Sequence, residues 1–251
     1  MIRMIISPAK KMRIDTDLMA SKQLPQFINE TEQILSLLQQ LTYDELKAMW
    51  KCNDAIAEQN VERIQNMNLK TNLTPAIYAY EGIQYQYMAP GVFQQEELAY
   101  LEQHLRILSG FYGMLRPLDG VTPYRLEMQG KLQGPGFKSL YQFWGSKLAD
   151  QLQTESNCIL NLASKEYSKN ITPFLSEETE FITCVFGQMV EGKLVEKATR
   201  AKMARGEMVR YMAERKVTDL KDVRSFDRLD FNFSEALSDE RTYVFLHVER
   251  N

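Results

Sequence analysis

Apolar positions open the chain as a short run, Ile2, Met4, Ile5 and Ile6 around Arg3. Ser7-Pro8 stops it. This predicts a buried strand over 2–6, because proline cannot donate to a central ladder. Phe27, Ile28, Thr31, Ile34, Leu35 and Leu38 then recur at helical spacing and predict a helix over 25–40. Thr42 with Glu45 three residues on forms a capping box for a helix ending near Lys51. A second short helix is expected from Asn53-Asp54 to about Asn66. The apolar residues of 76–80 suggest a short strand. Leu98, Leu101 and Leu105 share one side of a predicted helix over 94–104.

The pattern breaks over 106–136, which holds six glycines and three prolines. After a short strand or turn at Ile107-Leu108-Ser109, regular structure is not expected over most of it. Its aromatic and aliphatic content argues against disorder. A long loop of this kind inside a compact domain is usually functional. Periodicity resumes with a helix over 140–152 and an apolar run over 158–163, read as a central strand. Residues 164–169 would then leave the end of that strand, where α/β sheets commonly bind ligands. Residues 181–190 and 193–195 read as a hairpin around Glu191-Gly192. A basic helix over 198–215, a short helix capped at Thr218-Asp219-Leu220, and a last strand over 243–248 complete the pattern. There is no internal repeat and no linker. The fold class expected is α+β (mixed α/β): a single domain over 1–251 with a central mixed sheet flanked by helices.

Composition changes little. With 251 residues, 44% hydrophobic and 25% charged, the chain has enough apolar surface to bury a core without staples. No apolar run approaches the roughly 18 residues of a membrane span. The start lacks the length and small-residue cleavage site of a signal peptide. A cytoplasmic protein with no membrane partner is expected. Cys52, Cys158 and Cys184 are far apart, with no metal-ligand spacing, and read as reduced thiols. No cofactor and no metal are expected. The net charge of −3 is unlike that of a dedicated nucleic-acid binder. However, Lys197 to Lys216 holds seven bases against two acids, a local field that a nearby anion would feel.

Candidate chemistry is sparse. The chain lacks a P-loop, a dinucleotide fingerprint, a zincin motif and a nucleophile elbow. His104 and His247 are the only histidines and read as structural. Lys10 follows a strand directly, where an ammonium can hold an anion or act as a nucleophile if desolvated. Arg106, Arg116 and Arg125 share the Gly/Pro-rich stretch with Phe111, Tyr112 and Tyr124. Their planar forks suit phosphate or carboxylate, and the rings could stack on bases. Equally, Arg116 and Arg125 could pair with Asp119 and Glu127 to hold the loop. Gly206 inside the basic helix costs about 1 kcal/mol relative to alanine; a close backbone approach could explain it, although a simple solvated face fits the basic residues of this helix as well. The segment 42–66 is compatible with a helix-hairpin-helix, which holds DNA phosphate without reading sequence. Its turn, Lys51-Cys52-Asn53, lacks the usual glycines, and an ordinary αα-hairpin fits as well.

Taken in order, several motifs resemble the YaaA peroxide-stress family. They are Ser7-Pro8-Ala9-Lys10, the stretch from His104 through Asp119, Pro123-Tyr124-Arg125-Leu126-Glu127-Met128, Leu140-Tyr141-Gln142-Phe143-Trp144-Gly145, Asn161-Leu162-Ala163-Ser164, Glu166-Tyr167 with Lys169, and Ala204-Arg205-Gly206. The resemblance covers almost the whole chain. It implies a mixed α/β fold with a positively charged cleft and a helix-hairpin-helix. It also implies a role in hydrogen peroxide resistance through protection of DNA and limitation of free iron. By position it places Lys10, Arg106, Arg116, Arg125, Lys169, Lys202, Arg205 and Arg210 at or near the cleft. Double-stranded or structured DNA is then the expected partner. The alternative is an enzyme acting on a nucleobase, nucleotide or other anionic small molecule, with Lys10 as anchor or nucleophile and Glu127 or Glu166 as general base. A pocket holding Lys10 beside a carboxylate would favour the enzyme.

Overall fold

A computed structural model describes residues 1–248. Its centre is an eight-stranded sheet. In chain order the strands are β1 (Ile2–Ile6), β2 (Leu105–Ser109), β3 (Gly113–Leu115), β4 (Cys158–Leu162), β5 (Glu180–Val190), β6 (Lys193–Val195), β7 (Phe231–Phe233) and β8 (Thr242–His247). They lie in the order β7-β8-β5-β4-β1-β2-β3, with β6 folded back on β5. The inner path β2-β1-β4-β5-β8 is parallel throughout. The hairpin partners β3, β6 and β7 are antiparallel. Every residue of β1 and β2 is buried, which explains their near-continuous apolar runs: parallel strands covered on both faces have no solvent side.

The helices Ile28–Gln39, Gln95–His104 and Ala198–Arg215 appear where their periodicity placed them. The box at Thr42 forms, with the Thr42 hydroxyl accepting from Glu45 N–H and the Glu45 carboxylate accepting from Thr42 N–H. Tyr43–Trp50 and Asp54–Gln65 follow as an αα-hairpin. Lys51 occupies the left-handed conformation at the turn, φ 48°, where a glycine is more usual. The Asn53 side chain caps the second helix through Ile56 N–H. This is a self-capped hairpin, and the helix-hairpin-helix character expected of it is not shown by its geometry.

Three expectations are corrected. Residues 76–80 are not a strand. Ala76–Ala79 is one helical turn between two-residue strands, and all four side chains are buried. A short apolar run looks the same whether a strand or a buried turn uses it. The Ala76 and Ile77 N–H groups donate to Asp119 and Pro117 carbonyls instead of a ladder. Residues 140–152 are not one helix. Gly145, at φ 49°, ends Leu140–Trp144 before Lys147–Glu155 begins. The Gly/Pro-rich stretch is more ordered than its composition suggests. Ser109 Oγ accepts from the N–H groups of both Phe111 and Tyr112, closing the turn between β2 and β3. Phe111, Tyr112, Tyr124, Leu126 and Met128 are all core residues. β7 is a further strand, too short to show in the hydrophobic pattern.

Candidate functional site: a crevice at the strand ends

Ile6 pairs with Leu162 in parallel register, so β1 and β4 release their chains side by side. Ser164 N–H donates to Ser7 Oγ at 2.8 Å, and Ser7 Oγ donates to Ser164 Oγ at 3.2 Å. From β1 the chain passes to β2 on one side and later returns to β4 on the other. Such a reversal leaves a crevice at the carboxyl ends of the strands. Here it is a cavity of about 400 Å³. The loop 7–11 after β1, residues 81–85, residues 124–127, the start of the loop after β4 and the basic helix line it.

Inside it, Lys10 Nζ lies 2.8 Å from Glu127 Oε1. Glu166 Oε1 accepts from Gln129 N–H at 3.2 Å. Burial raises the Glu166 pKa, and the nearby Glu127 charge adds to the shift. Two carboxyl groups and one ammonium therefore share the crevice, the usual equipment of general acid–base catalysis. The wall behind them is tyrosine-rich. Tyr124 shares hydroxyl hydrogen bonds with Ser109 at 2.6 Å and Tyr80 at 2.9 Å. The Tyr85 hydroxyl donates to the Ser7 carbonyl at 3.1 Å. Burial pushes Tyr124 up to about 12, so it is protonated at neutral pH.

The basic residues singled out by sequence divide into two groups. Lys10, Arg125, Lys202 and Arg205 line the crevice, as do the candidate carboxylates Glu127 and Glu166. Arg106, Arg116, Lys169 and Arg210 do not line it. Arg106 is sealed near the start of β2, with Nε 2.8 Å from Glu155 and Nη1 donating to the Glu102 and Leu105 carbonyls. Antiparallel β3 brings Arg116 back to the same end of β2. The Arg116 backbone N–H donates to Asp119 Oδ2 at 2.8 Å, so Asp119 fixes the loop through the main chain. Lys169 sits over the Tyr141 ring at 4.6 Å. Arg210 pairs with Glu214 at 2.7 Å on its own helix. His104 stacks on Tyr100, with Nδ1 2.8 Å from the Ile2 carbonyl oxygen.

Lys11, Glu81 and Gln84 also face the crevice, and nothing in the sequence pattern marks them. A close backbone approach does occur at Gly206: a Cβ there would stand 2.1 Å from the Gln84 carbonyl oxygen. That close approach seats the basic helix on Ile83–Met88 and brings Lys202 and Arg205 to the wall. The thiols lie elsewhere. Burial pushes Cys158 up to about 11, with Glu180 adding to the shift, and burial also raises Cys184. Neither has the low-pKa thiolate of a peroxide sensor. Among the described residues no cluster of three or more His, Cys, Asp or Glu could hold a metal ion. No helix among them is long and apolar enough to cross a membrane.

Fold and site together define a mixed α/β protein with a ligand-sized crevice at the carboxyl ends of its parallel strands. Residues 2–237 match the family described as peroxide stress protein YaaA, and the chain belongs to that family. It is 55% identical over 250 residues to a UPF0246 protein of Lachnoclostridium phytofermentans, covering 100% of this chain and 98% of that one. A UPF0246 protein of Pediococcus pentosaceus is 50% identical over 248 residues, covering 99% of each chain.

Proposed function

We propose that this protein contributes to the peroxide-stress role of its family through the crevice. There it binds an anionic small molecule of the nucleobase or nucleotide type and acts on it by proton transfer. One observation carries the reading: Lys10 and Glu127 lie 2.8 Å apart in a cavity that also holds Glu166. Ligand pockets span roughly 300–1,000 Å³, and this one is sized for a single nucleotide. Glu166, whose proton affinity burial raises, is the general acid. Glu127 is the base once a ligand anion draws Lys10 away from it. Lys10 anchors the charge. The test is a thermal-shift panel of nucleobases, nucleosides and nucleotides, run on wild type, Lys10→Met and Glu127→Gln. Stabilisation of wild type by one class, weakened in both variants, is expected. Equal shifts in all three proteins would sink the reading.

A second reading keeps DNA as the partner, bound without sequence readout in the cytoplasm and shielded from iron-dependent damage. Lys10, Lys11 and Lys202 support it, since all three are exposed where they border the crevice. Each phosphate neutralised should add about −0.9 to the slope of log K against log salt. Arg125→Ala, at the crevice, should weaken duplex binding and flatten that slope. Arg116→Ala, at the far end of β2, should leave both unchanged. An affinity independent of salt would remove DNA from consideration.

A further inference from the structure

Gln84, Arg125 and Arg205 line the same crevice from three separate elements: the helix Ile83–Met88, the strap 124–127 and the basic helix. Each carries a buried N–H nitrogen with no hydrogen-bond partner, namely Gln84 Nε2, Arg125 Nε and Arg205 Nε. Gln84 is only 7% exposed. A buried donor left unpaired costs about 1–3 kcal/mol, so native structures rarely keep one without a reason. Three around one crevice, all donors, call for an acceptor from outside the chain.

The charges point the same way. Lys10 is held by Glu127, Lys11 by Glu81 at 2.9 Å, and Arg205 by Glu196 at 3.3 Å. Among the described residues, Arg125 and Lys202 have no carboxylate partner within ion-pair distance. A cationic wall with unused donors is suited to a group of two or three anionic oxygens, which can accept several N–H bonds at once.

We infer that Gln84, Arg125 and Arg205 form an oxyanion subsite, which together with Lys10 takes a phosphate or carboxylate group of the ligand while Glu127 and Glu166 face its other part. This rests on the reading of the crevice as a ligand pocket. It adds which wall meets the anion and which residues grip it. The three donor nitrogens are closed to solvent, so the subsite requires their side chains to turn toward the ligand. A tetrahedral phosphate and a planar carboxylate present the same chemistry to this wall, and only binding distinguishes them.

The experiment is calorimetric titration of the full chain with inorganic phosphate, with acetate, and with a nucleoside and its 5′-monophosphate. Wild type, Gln84→Leu, Arg205→Met and Arg125→Met are compared. Wild type should bind the monophosphate at least about tenfold more tightly than the nucleoside, a difference of about 1.4 kcal/mol. Each variant should lose most of that difference while keeping its affinity for the nucleoside. Stronger binding of phosphate than acetate assigns the subsite to phosphate, and the reverse assigns it to carboxylate. Gln84→Leu also removes an unpaired donor, so its unliganded melting temperature should hold or rise. Nucleoside binding with no gain from the phosphate, in a protein that ignores both free anions, overturns the subsite and leaves the pocket standing. Silence toward all four probes overturns both. A destabilised Gln84→Leu that still discriminates the monophosphate would make Gln84 a structural residue and overturn its part.

Discussion

Asp119 is sealed in the loop that follows β3, with only 2% of its surface exposed. Its carboxylate accepts from Arg116 N–H at 2.8 Å and from Gln23 Nε2 at 2.7 Å. These bonds favour the charged form, but burial outweighs them, and the pKa rises from 3.8 to about 6. The folded chain therefore holds this proton over a pH range in which the unfolded chain has released it. A raised folded-state pKa gives stability that is full at low pH and declines as pH rises through about 6. The loss amounts to about 3 kcal/mol at most. Asp119→Asn cannot ionise, so the decline between pH 4 and pH 7 should shrink by an amount of that order. Urea denaturation of both proteins at the two pH values measures it. Arg116 and Arg125 sit in the same stretch, yet Arg125 borders the crevice and Arg116 does not.

Among the elements, the packing of the basic helix on Ile83–Met88 governs the site. Gly206 allows it, because an added Cβ would meet the Gln84 carbonyl oxygen at 2.1 Å and Met88 N at 2.9 Å. Both atoms are backbone and cannot rotate away. Gly206→Ala improves helix propensity by about 1 kcal/mol, but overpacking of this kind costs about 1–3 kcal/mol, occasionally more. The net effect should be a lower melting temperature together with weakened ligand binding, as Lys202 and Arg205 move off the wall. An unchanged melting temperature would show that the two helices can separate freely. Element identity was legible wherever a run was long enough to show a period, as in Ile28–Gln39 and Ala198–Arg215. It failed at Ala76–Ala79, where four buried residues fit either period, and at Gly145, where one positive φ divides an otherwise periodic segment.

For the molecule as a whole, the late strand β8 matters more than its position in the chain suggests. It lies between β5 and β7 in the sheet, and Tyr243, Val244 and Phe245 are buried. Ending the chain at Asp239 would expose the edge of β5 as an unpaired hydrophobic ladder, a template for aggregation. Such a truncation should be less soluble and lose cooperative unfolding, which sedimentation and thermal denaturation would report. The sequence by itself determined the strands and helices that have a clear period, the family, and that Lys10 and residues 164–169 leave strand ends. Those are local properties, written in runs, caps and turns. Only the tertiary structure decided that β1 and β4 are neighbours, that Lys10 meets Glu127, and that Gln84 joins Arg125 and Arg205 while Arg106 and Arg116 stay at the other end of β2. The order of strands in a sheet comes from long-range packing, and spacing along the chain carries no record of it.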